Sequence, residues 1–175
     1  MAYGLTRFCA DLNRILKSEG TDGLAAIAEK LRQLVSDPAF VTATFSDDMP
    51  PGKRELFHDP ETGAYVLAHV HREGGRGNPH NHGDSWAIYA NAKGVTEMTE
   101  WKRVNAESAD HAELAPVAIY ALGPGQARAY APGAVHSTAH PGKTWVIRVT
   151  GCDLDNIPRF RFRPSRDVII EAQRA

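Results

Sequence analysis

Pro79-His80-Asn81-His82-Gly83, answered further along by Pro132-Gly133-Ala134-Val135-His136, is the stretch on which the reading of this chain turns. Two imidazoles one residue apart on a strand point to the same face, because side chains there repeat with period two. A third, carried in on a distant strand, completes a facial triangle of nitrogens around a divalent cation. Such a triangle leaves other positions open for water, substrate or oxygen. The first expectation is therefore a reactive metal site at His80, His82 and His136.

Outward from that frame, everything past Met49-Pro50-Pro51-Gly52 has the texture of a β-domain. Short runs with β-branched and aromatic residues alternate with turn signals such as Asp59-Pro60-Glu61-Thr62-Gly63, Gly123-Pro124-Gly125 and Pro141-Gly142. The expected strands are 53–58, 64–72, 79–82, 84–91, 94–102, 116–122, 126–130, 144–150 and 158–163. Many short strands at this spacing predict an antiparallel barrel or a double-sheet jelly roll. The first 45 residues read differently. Leu5, Phe8, Leu12, Ile15 and Leu16 recur at helical intervals up to Gly20, and Leu24, Ile27, Leu31, Leu34 and Val35 repeat the pattern before Pro38. Two helices, each with one apolar stripe to bury, are expected to cover a sheet. The expected organisation is one domain over 1–175, with a helical layer over 1–45 and a β-barrel over 46–175.

Composition narrows the function classes. With 20 basic and 21 acidic residues the 175-residue chain is nearly neutral, so no field points to nucleic acid or to an anionic membrane. Cys9 and Cys152 are two isolated cysteines rather than a disulfide framework. No apolar run approaches the ~20 residues of a membrane span, and the N-terminus carries Arg7, Asp11 and Arg14 among its apolar residues. A cytoplasmic protein acting on a small molecule is expected, with monomer and homodimer both open.

The glycines around the histidines give the frame a family likeness. Gly74 lies six residues before His80, Gly94 closes the first motif, and Gly125, Gly133 and His136 match the second. This spacing resembles the two motifs of the cupins, whose fold is a double-stranded β-helix. Where ordinary cupins carry a glutamate ligand this chain has Ala87. The likeness therefore runs to the three-histidine, cysteine dioxygenase-like (thiol dioxygenase) branch, and His80-x-His82-x-Asp84-Ser85 is similar to its metal-strand pattern. The resemblance implies an Fe(II) site (Zn, Mn and Ni suit three imidazoles as well) and an O₂-dependent oxidation of a small carboxylate-bearing substrate such as a thiol. It also implies a carboxylate-gripping arginine, which counting back 26 residues from His80 places at Arg54. The Ser-His-Tyr relay of that branch falls on Val146, Arg148 and Thr150, and its pocket Leu and Trp fall on His69 and His71. The relay is thus missing and the pocket is more polar.

Six further residues are candidates. His69 and His71 share a strand face with Tyr65 and Leu67, where they bind substrate and handle protons if that face lines the barrel, or end a polar strand if it does not. Arg148 stands between Ile147 and Val149, so it needs either an ion-pair partner or an anionic ligand. Asp84, Ser85 and His140 are expected just behind the ligands, where an acceptor could fix an imidazole tautomer. Two other readings remain open: Lewis-acid isomerase, lyase or hydrolase chemistry, and a non-catalytic small-molecule-binding protein.

Overall fold

The two apolar stripes at the N-terminus form the two expected helices, and a third short helix follows them. The computed structural model describes residues 3–107, 109, 111–164 and 170–174, the last five and Pro164 by their backbone alone. Helix α1 (Leu5–Glu19) buries Phe8, Cys9, Leu12 and Ile15, and α2 (Leu24–Val35) buries Leu24, Ile27, Leu31, Leu34 and Val35. The third, α3 (Pro38–Thr44), starts where Pro38 had been read only as a stop. Asp37 accepts hydrogen bonds from the Ala39 and Phe40 amides at 2.9 and 3.4 Å, and Pro38 brings a φ already suited to the first helical position.

Eleven strands follow among the described residues: β1 (Gly52–His58), β2 (Tyr65–His71), β3 (Gly75–Arg76), β4 (Ala87–Lys93), β5 (Thr96–Arg103), β6 (Leu114–Leu122), β7 (Ala127–Tyr130), β8 (Val135–His140), β9 (Thr144–Thr150), β10 (Phe160–Pro164) and β11 (Ile170–Arg174). One sheet runs β1-β2-β9-β4-β7, a second runs β3-β8-β5-β6, and β10 pairs with β11. Every named strand pair is antiparallel. Because most spatial neighbours are not sequence neighbours, the two sheets wind together as a double-stranded β-helix, the jelly-roll architecture expected from the strand texture.

Parity along the strands separates two interiors. Val66, Ala68, Val70, Ile88, Ala90, Trp145, Ile147 and Val149 join the helical stripes in one core on the outer face of the five-stranded sheet. The alternate positions Ala87, Tyr89 and Val146 meet Met98, Leu122 and Tyr130 between the sheets. At roughly 1.5–3 kcal/mol for each large side chain buried, the helix–sheet core is the main apolar contribution. The rest of the inter-sheet space is left to polar residues. Pro116, read as the start of a strand, lies inside β6, which is tolerated because β6 is a sheet edge. No helix among the described residues is long and apolar enough to cross a membrane.

Two boundaries differ around the three histidines. The expected strand 79–82 is not one: His80 makes isolated bridges to His136 and Arg161, and His82 sits in a loop that ends only where β4 begins at Ala87. Conversely, 135–140, which no strand was expected to cover, is β8 and carries His136.

Candidate metal centre

Backbone bonds bring the first two histidines together. The His80 amide donates to the His136 carbonyl and the His136 amide donates back to the His80 carbonyl, both at 2.9 Å. Two residues on, the chain turns: Gly83 has φ +58°, and the Ser85 amide closes the turn onto the His82 carbonyl at 3.0 Å. A Cβ at Gly83 would stand 2.4 Å from the Pro158 carbonyl oxygen, so only glycine lets the loop lie against the 158–160 segment. The Gly133 amide donates to the Gly83 carbonyl at 3.0 Å, tying the two histidine motifs at a second point.

The three rings form a near-equilateral triangle, with centroids 5.3 Å (His80–His82), 4.8 Å (His80–His136) and 4.9 Å (His82–His136) apart and planes inclined at 60–69°. One nitrogen from each ring lies within 4.8 Å of the others. The Nδ1 of His80 is 2.9 Å from the Asn78 carbonyl, to which it donates, and that bond leaves the Nε2 lone pair free. Burial keeps the imidazoles neutral: His82 is held down to about 2, His136 to about 3, and His80 is also lowered. A metal needs neutral imidazoles. The cluster contains no carboxylate or thiolate, so three neutral nitrogen donors can hold a divalent cation at undiminished charge.

The protein supplies a cationic and phenolic surround. The Tyr89 hydroxyl is 3.1 Å from His82 Nε2 and 3.5 Å from His136 Nε2, and Tyr130 stacks on His136 at 4.3 Å. Burial raises the Tyr89 phenol, with the neighbouring Arg148 acting against it. Arg148 is directly opposite Tyr89 on β4 and Leu67 on β2, so it points between the sheets. Its Nε and that of Arg159 are buried without a hydrogen-bond partner. Arg159 is 3.8 Å from Asp155. A cavity of about 240 Å³ opens onto Arg148 and is also lined by Lys53, Glu55, Leu67, Thr150 and Asp155. A wider pocket of about 660 Å³, bounded by Gly83, Trp86, Arg159 and Phe160, flanks the His82 loop. The ligand imidazoles line neither.

The remaining expected residues fall in three places. His69 pairs with Val146, so it also faces the inter-sheet space, and its Nε2 is buried and unpartnered. His69, His71 and His140 stack in a column, with centroids 5.6 and 3.8 Å apart, that ends in a pocket of about 600 Å³ beside Arg76. Burial lowers His69 well below its usual value and holds His71 and His140 at about 4. His140, expected behind the ligands, instead stacks on His71 and lies 3.4 Å from the Thr96 hydroxyl. Asp84 is an exposed turn residue, while Ser85 pins the loop, donating to the Trp86 carbonyl and accepting from the Gly151 amide, each at 3.1 Å.

Arg54 requires a correction. It pairs with Ala68, whose side chain belongs to the helix–sheet core, so it points away from the histidines. Its guanidinium donates to the Thr44 carbonyl at 2.6 Å. Counting residues located the strand but not its face; Arg148 does face between the sheets, as does Arg128, which lies opposite Tyr89 on β7 and bonds Glu100, while the loop before β10 brings in Arg159 with its Nε buried. Tyr89 and Arg159 were missed. Tyr89 was within reach of the same period-two reading, since it shares the inward face with Ala87.

No family model matches the sequence, and no curated protein matches it. Solved structures do. KdgF from Halomonas sp. is similar at 19% identity and a TM-score of 0.45, over 60% of this chain and 82% of that one. A cupin superfamily protein from Desulfitobacterium hafniense DCB-2 is similar at 10% identity and 0.45, over 64% and 86%. The cupin domain of Schizosaccharomyces pombe Cnp3 is similar at 10% identity and 0.47, over 69% and 78%. The last two are cupin proteins by name.

Proposed function

We propose that this chain is a cupin enzyme with one non-haem Fe(II), of the cysteine dioxygenase-like kind, oxidising a small carboxylate-bearing substrate such as a thiol. The observation that carries the reading is the donor set: three neutral imidazoles, those of His82 and His136 buried and that of His80 half-buried, with no carboxylate among them, beside an arginine whose Nε has no partner. His80, His82 and His136 would hold the ion. When bound, Fe(II) supplies a site where O₂ and an anionic substrate atom can meet at one centre.

The chain's own residues do the rest. Arg148, held between β2 and β4, offers a planar fork to a carboxylate entering from the 240 Å³ cavity. Its orphaned Nε marks a bond that an acidic ligand completes. Fixing the carboxylate there orients the reacting atom toward the imidazole triangle, and that positioning is worth more than affinity alone. His69, neutral and unpartnered at Nε2, is the group between the sheets that can accept a proton from a bound substrate.

The test is an oxygen electrode. Protein loaded anaerobically with Fe(II) is given thiol acids and keto acids in turn. Oxygen uptake with an acid, lost when its carboxylate is amidated, supports the proposal. Turnover of an acid with no oxygen uptake rejects the dioxygenase and leaves Lewis-acid chemistry with Zn, Mn or Ni.

A further inference from the structure

Tyr89 stands where a ligand would stand. Its oxygen is 3.1 Å from His82 Nε2 and 3.5 Å from His136 Nε2. With metal–ligand bonds of about 2.0–2.2 Å, two donors on one ion are about 2.9 Å apart at a right angle and about 3.4 Å apart at the tetrahedral angle. The two Tyr89 separations match that interval to within about 0.1 Å. In the metal-free arrangement the phenol is accounted for as a hydrogen-bond donor to His82 Nε2. That bond cannot survive metal binding, because the one lone pair of the nitrogen cannot serve a proton and a cation together. The Tyr89 oxygen must then change partners without leaving its place, since the ring is packed between Ala87, Met98, Tyr130 and Val146. Around it are the imidazoles and Arg148, with no carboxylate in the cluster to meet the cation's charge.

We propose that Tyr89 is the fourth protein ligand of this centre. On metal binding the phenol O–H bond breaks, its proton leaves to solvent, and the oxygen lone pair bonds the ion held by His80, His82 and His136. The result is a three-imidazole, one-phenolate site, in which the anionic donor that the histidine cluster lacks comes from β4. This inference rests on the metal centre but not on the dioxygenase reading, because the ligand set is the same for a redox-inert ion.

A phenolate bound to Fe(III) absorbs visible light by charge transfer and shows resonance-enhanced phenolate ring vibrations, so the test needs no substrate. The wild-type protein, Tyr89→Phe and Tyr130→Phe are loaded anaerobically with one equivalent of Fe(II). Bound iron is counted, and the metal is oxidised in place with ferricyanide. Tyr130 is the control, since its ring stacks on His136 but its hydroxyl bonds to Tyr120 at 2.6 Å. The expected result is a visible band and phenolate modes in the wild type and in Tyr130→Phe, both lost in Tyr89→Phe. Tyr89→Phe should also bind iron roughly 10–100-fold more weakly. Stoichiometric iron in the wild type without the band overturns the assignment. So does a band that persists in Tyr89→Phe or disappears in Tyr130→Phe. If Tyr89→Phe does not fold, the wild-type and Tyr130→Phe spectra decide the matter between them. A wild-type protein that binds no iron overturns the metal centre itself, an outcome separate from the others.

Discussion

Mild acid should weaken the metal-free protein, by an amount that follows from its buried imidazoles. His82 and His136 are 2% and 0% exposed, and burial holds their protonation near 2 and 3, far below the ordinary 6.5. In the unfolded chain both would take protons around 6.5. Below that value the unfolded state therefore binds more protons than the folded one, and stability falls with pH until the folded values are reached. Between about pH 7.5 and about pH 5.5 each imidazole costs about 1.4 kcal/mol, or about 3 kcal/mol for the pair. For a chain of this length the pair alone gives a drop of about 6–12 °C in Tm, and His69, His71, His80 and His140, also lowered by burial, add to it in the same direction. The window isolates the histidines, because Asp11, Asp59 and Asp155 are held below their ordinary 3.8 and lose their stabilising effect only at lower pH. The assay is thermal unfolding across this range in the presence of a chelator. His136→Asn should remove about half of the pair's slope, and saturating Zn(II) should raise the wild-type curve without flattening it, because the folded imidazoles carry no proton in this window with or without the metal. A chelated wild type whose Tm stays level or rises as the pH falls would refute the reasoning.

Other outcomes follow from particular contacts. Arg148→Gln should retain the metal and weaken a carboxylate ligand by about 1.5–3 kcal/mol, or about 10–100-fold in Kd by calorimetry; equal affinity for the acid and its amide in the wild type would contradict this. Arg54→Ala should leave that affinity unchanged and lose about 1 kcal/mol in urea unfolding, the worth of its bond to the Thr44 carbonyl. Gly83→Ala combines a φ of +58° with a Cβ 2.4 Å from the Pro158 oxygen. It should cost about 1–3 kcal/mol of stability and lower metal affinity, because the His82 loop must shift; unchanged metal titrations would show that the loop does not set the ligand.

The histidine cluster was legible in the sequence because it depends on local things: two histidines a residue apart, a third beside Pro-Gly, and glycines at fixed distances. The strand carrying the third ligand was not legible. Val135-His136-Ser137-Thr138-Ala139-His140 is short, polar and bracketed by Pro-Gly pairs, so nothing marks it as β until it pairs with β5 and β3. The strand reading of 79–82 brought His80 and His82 together for a different reason from the one the structure shows. A glycine turn, and not strand parity, aims His82. Arg54 shows the limit of counting: one residue of parity moves a side chain from the barrel to the helix side of the sheet. His69 and Arg148 were reachable by the same parity, and their inward orientation was settled by pairing with Val146 and Tyr89. Arg159 was not reachable, since it comes from a loop whose path no periodicity encodes.

Metal counting on ligand variants tests the central claim most directly. Wild-type, His82→Ala and His136→Ala proteins are stripped, titrated with Fe(II) or Zn(II) and analysed for bound metal after gel filtration, with circular dichroism to confirm the β-fold. The three-imidazole centre predicts about one ion per chain in the wild type and at least a 100-fold loss of affinity in each folded variant, since removing a ligand should cost no less than the about 10–100-fold known for the residues that support ligands. Full occupancy in both variants, or none in the wild type, would contradict it.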